Sequence, residues 1–162
     1  MKKIKQIIFC GILFMFILSG CNLNDSNIKT TNLNNIFVDN IKINSNIKDV
    51  DLTKYTKSNR HSGNYTYLFD EIVLNVTNNK VDYLFSRFDE NKTIISVNDK
   101  SNLIKIDEIS NLLGNNFKDK WYDKEQGLKT YLYYDFENKI RANFVYSSYD
   151  NTLTWIKIES SN

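Results

Sequence analysis

The chain has 162 residues, of which 41% are hydrophobic and 14% aromatic, enough apolar surface for one domain or for two small ones sharing a core. Its 21 basic and 19 acidic residues are interspersed, for a formal net charge of +2, and this excludes the one-sided basic face of a nucleic-acid binder. One histidine and two cysteines are too few for a zinc ligand set or a histidine-based triad, and five isolated glycines make no phosphate loop.

The first element is a leader. Lys2, Lys3 and Lys5 precede an apolar run, Ile7–Leu18, and the small residues Ser19 and Gly20 follow it. A basic start, a short apolar stretch and a small-residue exit describe a secretory signal peptide over residues 1–20. Twelve apolar residues at 1.5 Å each cover only ~18 Å of a hydrocarbon layer ~30 Å thick, so a permanent span is not expected. Leu18-Ser19-Gly20-Cys21 resembles the lipobox of bacterial lipoproteins. The resemblance implies cleavage between Gly20 and Cys21, diacylglycerol on the Cys21 thiol, and a place on the outer face of the cell membrane, held through the lipid. No other cofactor is expected. Cleavage removes three basic residues and no acidic one, leaving 18 against 19 and a net charge of −1. The sequence pI near 8.4 therefore belongs largely to the leader. Cys10 leaves with it, so the mature chain has no thiol for a disulfide or a nucleophile.

Residues 21–35, "CNLNDSNIKTTNLNN", lack sustained periodicity and read as a lipidated flexible tether with a typical reach of ~20 Å. From Ile36 the pattern changes. "NIFVDNIKIN" is strand-like, and "NSNIKDVDLTKY" predicts a short helix capped by Ser45 or Asn46. After a loop containing His61, the lone histidine, strands are expected over Tyr67–Val76, Val81–Phe88 and Thr93–Val97. Asn78-Asn79-Lys80 and Asp89-Glu90-Asn91 supply turn chemistry between them.

The second half follows a similar course. "IKIDEISNLLGNN" predicts a short helix with Ile106, Ile109 and Leu113 on one face and Gly114 ending it. "NFKDKWYDKEQG" reads as a charged loop, followed by strands at Leu128–Phe136, Ile140–Ser147 and Thr152–Ile158. In the middle strand Ala142, Phe144 and Tyr146 alternate with Arg141, Asn143 and Ser147, while Val145 breaks the alternation. A shift of 59 lays Ile47 on Ile106 and "NNKV" (78–81) on "ENKI" (137–140), and a shift of 61 lays "SRFDENKTIISV" on "SSYDNTLTWIKI". The expected fold class is α+β, dominated by antiparallel sheet, with two tandem units at 36–98 and 99–162, each a short helix plus a three-stranded meander. A single meander whose turns look alike is the alternative. Asparagine abundance and the absence of proline read mainly as the stamp of an AT-rich genome.

"DEISNLLG" (107–114) and the strands after it are similar to the tandem units of beta-lactamase inhibitory protein and of the small outer-membrane assembly lipoproteins. The first half departs from that pattern, with Lys54-Tyr55 where Leu113-Gly114 stands in the second. The resemblance implies protein binding through the sheet face and loops.

No catalytic or metal-binding residue is expected. Asp119, Asp123 and Glu125 cluster beside Trp121, but Lys118, Lys120 and Lys124 alternate with them, as on a solvated segment and unlike an EF-hand ligand set. The aromatics carry more signal, because Tyr and Trp dominate binding hot spots. Trp121, Tyr122, Tyr131, Tyr133 and Trp155 form the candidate binding surface. The expected function is a non-enzymatic, lipid-anchored module that binds a protein or peptide, of which an immunity protein is one version. A structural or sensory accessory subunit of an envelope or transport complex is the second reading, and a carboxylate-based hydrolase the third.

Overall fold

The computed structural model describes residues 28–59, 63–88 and 93–161. The expected signal peptide, the Gly20/Cys21 junction with its expected lipid, residues 22–27 of the expected tether, His61 and the turn expected at Asp89-Glu90-Asn91 lie outside the described residues.

The architecture is α+β and sheet-dominated, and among the described residues every strand pairs antiparallel. In chain order come β1 (Ile36–Val38), a 3-10 turn (Ile47–Asp49), β2 (Tyr67–Leu68), β3 (Ile72–Thr77), β4 (Lys80–Arg87), β5 (Ile95–Val97) and β6 (Lys100–Ser101). They are followed by α1 (Ile106–Leu113), β7 (Lys118–Asp123), β8 (Leu128–Asp135), β9 (Ile140–Ser147) and β10 (Leu153–Ser160). A seven-stranded sheet has the order β2-β3-β4-β10-β9-β8-β7, and a three-stranded sheet the order β1-β5-β6.

Period-2 alternation decides which residues meet. Ile72 and Leu74 of β3, Leu84 of β4, Ile156 and Ile158 of β10, Ala142 and Phe144 of β9 and Tyr133 of β8 share one face and are all essentially inaccessible. Ile106, Ile109 and Leu113 of α1, Val38 and Ile95 of the small sheet, and Leu33 and Ile41 complete that core. Glu108 holds the start of α1 by accepting from the backbone N–H of Lys105 at 3.0 Å and of Ile104 at 3.1 Å. Gly114 ends it with φ 81° and ψ −178°, a region essentially restricted to glycine.

Tight turns are built from asparagine and aspartate. Asp39-Asn40, Asn78-Asn79 and Asn98-Asp99 each carry two consecutive positive φ angles, as two-residue hairpins of the primed type require. An asparagine-rich, proline-free chain supplies such positions freely.

Several expectations are corrected. Lys118–Asp123 is a strand and not a loop, so the second meander has four strands. Its alternating charges are those of an edge strand, which keeps other strands from adding to it. The first helix is a single 3-10 turn: Asn46 caps it by accepting from Lys48 N–H, but Asp51 then captures the N–H and hydroxyl of Thr53 and draws the backbone out of helix. The strand expected at Tyr67–Val76 breaks after Leu68, where Phe69 N–H bonds to Ile72 C=O. The strand expected at Thr93–Val97 leaves the meander. Asp39 takes Ile94 N–H on its side chain at 2.7 Å and returns its own N–H to Ile94 C=O, which seats β5 against β1.

The flexible tether expected over residues 21–35 does not hold for its last residues. Thr31 and Leu33 are buried, at 7% and 2% exposure. Thr31 N–H bonds to Tyr134 C=O at 2.8 Å, and Leu33 N–H to the Asp135 carboxylate at 2.9 Å. Phe136 N–H returns a bond to Thr30 Oγ1 at 3.1 Å. The segment is thus docked on the end of β8, 102 residues away in sequence from Leu33.

Candidate functional site

The seven-stranded sheet buries one face under α1, the small sheet and the N-terminal segment. Register fixes what lies on the other face, in three rows across the strands. One row runs Arg87, Trp155, Val145 and Thr130; the next runs Val73, Phe85, Lys157, Asn143 and Leu132; the third runs Asn75, Tyr83, Glu159, Arg141 and Tyr134.

Aromatic rings gather where β4 and β10 join. Phe85 and Trp155 lie 5.6 Å apart between centroids, and Tyr122 meets Trp155 edge-on at 4.8 Å. Tyr65 extends the group by stacking on Tyr83 at 5.6 Å. Edge-on and offset arrangements are those the ring quadrupole favours. A groove of about 640 Å³ opens along this seam, with Tyr122, Leu128, Trp155 and Phe85 as its apolar floor and Arg87, Asp123 and Lys157 among its polar walls. A smaller recess of about 210 Å³, lined by Tyr65, Leu68, Glu71 and Val73, continues it across Tyr83, Phe85 and Arg87.

Beside the rings the face is charged and internally compensated. Glu159 accepts from Arg141 Nε at 2.7 Å, with Arg141 Nη2 also against it and Lys157 Nζ at 3.3 Å. Burial pushes the Glu159 carboxyl up, but the Arg141 hydrogen bond and the Lys157 and Arg141 charges outweigh it and hold the group below its ordinary value. Burial, and then Tyr65 beside it, push the Tyr83 hydroxyl above the usual phenol range, so it stays neutral.

The five residues singled out from sequence divide between the two faces. Tyr122 and Trp155 come together in the groove. Trp121 points to the opposite side of β7, 46% exposed, with Lys129 Nζ 5.7 Å from its ring. Tyr131 lies on the core side, stacked on Phe117 at 3.7 Å. Tyr133 is fully buried, its hydroxyl donating to Gly114 C=O at 3.0 Å, and is a core residue rather than a surface one. Tyr83 and Phe85 were not singled out. Their signal is the alternation in "DYLFSR", where Tyr83, Phe85 and Arg87 oppose Leu84 and Ser86 with period 2.

Among the described residues, no group of three or more His, Cys, Asp or Glu is placed to hold a metal ion, and no helix is long and apolar enough to cross a membrane. No family model, curated protein or solved structure matches the chain.

Proposed function

We propose that the protein is a lipid-anchored, extracytoplasmic binding module that takes a protein or peptide segment on the aromatic seam between β4 and β10. The observation that carries this reading is the convergence of Tyr65, Tyr83, Phe85, Trp155 and Tyr122, drawn from both halves of the chain, on the sheet face opposite the core. Rigid aromatic rings in a partly desolvated trough, rimmed by compensated charges, are the composition of a binding hot spot. The trough is long and open, whereas a small-molecule site encloses most of its ligand. The lipobox at Leu18–Cys21 supports the anchor.

Site-specific photocrosslinking in the native envelope tests the reading. A crosslinker at position 122 or 85 is expected to give one discrete protein adduct that position 104, on the exposed Ile104 away from the groove, does not give. Trp155→Ala should weaken the adduct from position 85 by about tenfold or more, a hot-spot loss of at least ~1.4 kcal/mol. Adducts from position 104 alone would overturn the assignment of the surface.

A further inference from the structure

The N-terminal segment enters the fold at one end of the large sheet. Thr30 touches Phe136, and Thr31 and Leu33 are pinned to Tyr134 and Asp135, all in the last residues of β8 and the turn to β9. That turn, Phe136-Glu137-Asn138-Lys139, exposes a large apolar ring: Phe136 is 60% accessible and stacks on Tyr134 at 5.7 Å. Lys118 Nζ lies 5.6 Å from the Tyr134 ring, Lys139 is exposed beside them, and Glu137 is the one acid of the turn. Aromatic rings flanked by long cationic side chains suit the boundary between headgroups and acyl chains.

We propose that this end of the sheet rests on the bilayer that holds the anchor, with Phe136 inserted among the lipid headgroups. The proposal rests on the reading of Cys21 as lipidated. Its geometric basis is where the chain leaves the fold and how much of it remains. From Cys21 to Thr30 is nine residues, a span of at most ~30 Å even when fully extended. The eight residues of β8 are ~26 Å long. The end bearing Phe136 therefore stays within ~30 Å of the lipid surface, at an effective concentration high enough for a weak contact to suffice. The groove around Trp155 and Tyr122 sits toward the other end. Trp155 is level with Thr130, six residues or ~20 Å along the strand from Phe136, and the β9–β10 turn with exposed Tyr149 lies beyond. Contact through Phe136 points the groove away from the membrane, toward a partner arriving from outside.

The test uses the lipidated protein in vesicles of phosphatidylcholine and phosphatidylglycerol containing spin-labelled phosphatidylcholine. The only mature cysteine is occupied by lipid in that protein, so Glu137→Cys or Tyr149→Cys gives a single site for an environment-sensitive dye. The dye at 137 is expected to shift to the blue and lose most of its emission to the spin label, while the dye at 149 stays bright. Phe136→Asp in the 137-labelled protein should abolish the quenching without releasing the protein from vesicles. Equal quenching at both positions, or none at 137 while mass spectrometry shows acylated Cys21, overturns the proposal. So does a dimer in detergent that Phe136→Asp dissociates, since the turn would then be a contact between two copies. An unmodified Cys21 with no vesicle binding defeats the lipoprotein reading itself, and the proposal with it.

Discussion

Asp135 is buried to 1% exposure and holds the N-terminal segment onto the sheet. Its carboxylate accepts Leu33 N–H at 2.9 Å, Asn138 N–H at 2.9 Å and Asn138 Nδ2 at 2.8 Å. Asp135→Ala removes the acceptor for all three. The Asn138 groups lie in a partly exposed turn and can reach solvent, but the Leu33 N–H is buried. A buried unsatisfied donor costs ~1–3 kcal/mol, and the lost Asn138 hydrogen bonds add ~1–2 kcal/mol. The expected loss is ~2–5 kcal/mol, a large part of the ~5–15 kcal/mol that holds a domain together. Asp135→Asn keeps the shape but turns one acceptor into a donor facing donors, for ~1–3 kcal/mol. Urea unfolding followed by circular dichroism measures the loss, and hydrogen exchange at the Leu33 amide shows whether the segment has detached. The carboxyl also writes a pH signature. Burial pushes its pKa up, but the Leu33 and Asn138 hydrogen bonds prevail and hold it below the ordinary carboxyl value. A folded-state pKa below the unfolded one contributes stability that is complete above the unfolded carboxyl range, near pH 4, and is lost as pH falls through the folded value. Wild type should therefore weaken below about pH 4, and Asp135→Asn should lack that share of the acid sensitivity. An Asp135→Ala variant that loses under ~1 kcal/mol with the Leu33 amide still protected would refute the reasoning.

Phe144, wholly buried and edge-on to Tyr133 at 5.8 Å, should cost ~3–5 kcal/mol as Phe144→Ala, read from the urea midpoint at constant slope. Gly114→Ala isolates a backbone effect, because nothing lies within 4 Å of the added Cβ while φ is +81°. We expect ~1–3 kcal/mol by the same titration. Asn79→Gly should stabilise by a few tenths of a kcal/mol, since Asn79 sits at φ 61° in the β3–β4 turn where glycine carries no Cβ penalty; a lowered melting temperature would count against the primed-turn assignment.

How the local code came through differs from element to element. α1 formed where the 3.6-residue spacing of Ile106, Ile109 and Leu113 met a glycine at 114. β9 formed where alternation was clear, and Val145, which breaks it, is buried on the groove face directly opposite Trp155. Lys118–Asp123 misled because edge strands and solvated loops share a charged composition. Local pattern cannot tell them apart; only the presence of β8 alongside does. The matched blocks 86–97 and 147–158 show the same limit. One ends in β5 of the small sheet and the other in β10 of the large one, because Asp39 and β1 are there to capture the first.

By itself, the sequence determined the α+β class, the positions of most strands, the asparagine turns and the candidate rings Tyr122 and Trp155, because these depend on periodicities of two to four residues and on side-chain chemistry at single positions. Tertiary structure alone decided that Tyr83 and Phe85 share a groove with Trp155, that Tyr133 is core, and that residues 30–33 close onto the end of β8. Those facts depend on which strands pair and in what register. One residue of slip moves a ring from the solvent to the core, and no local pattern records a partner dozens of residues away.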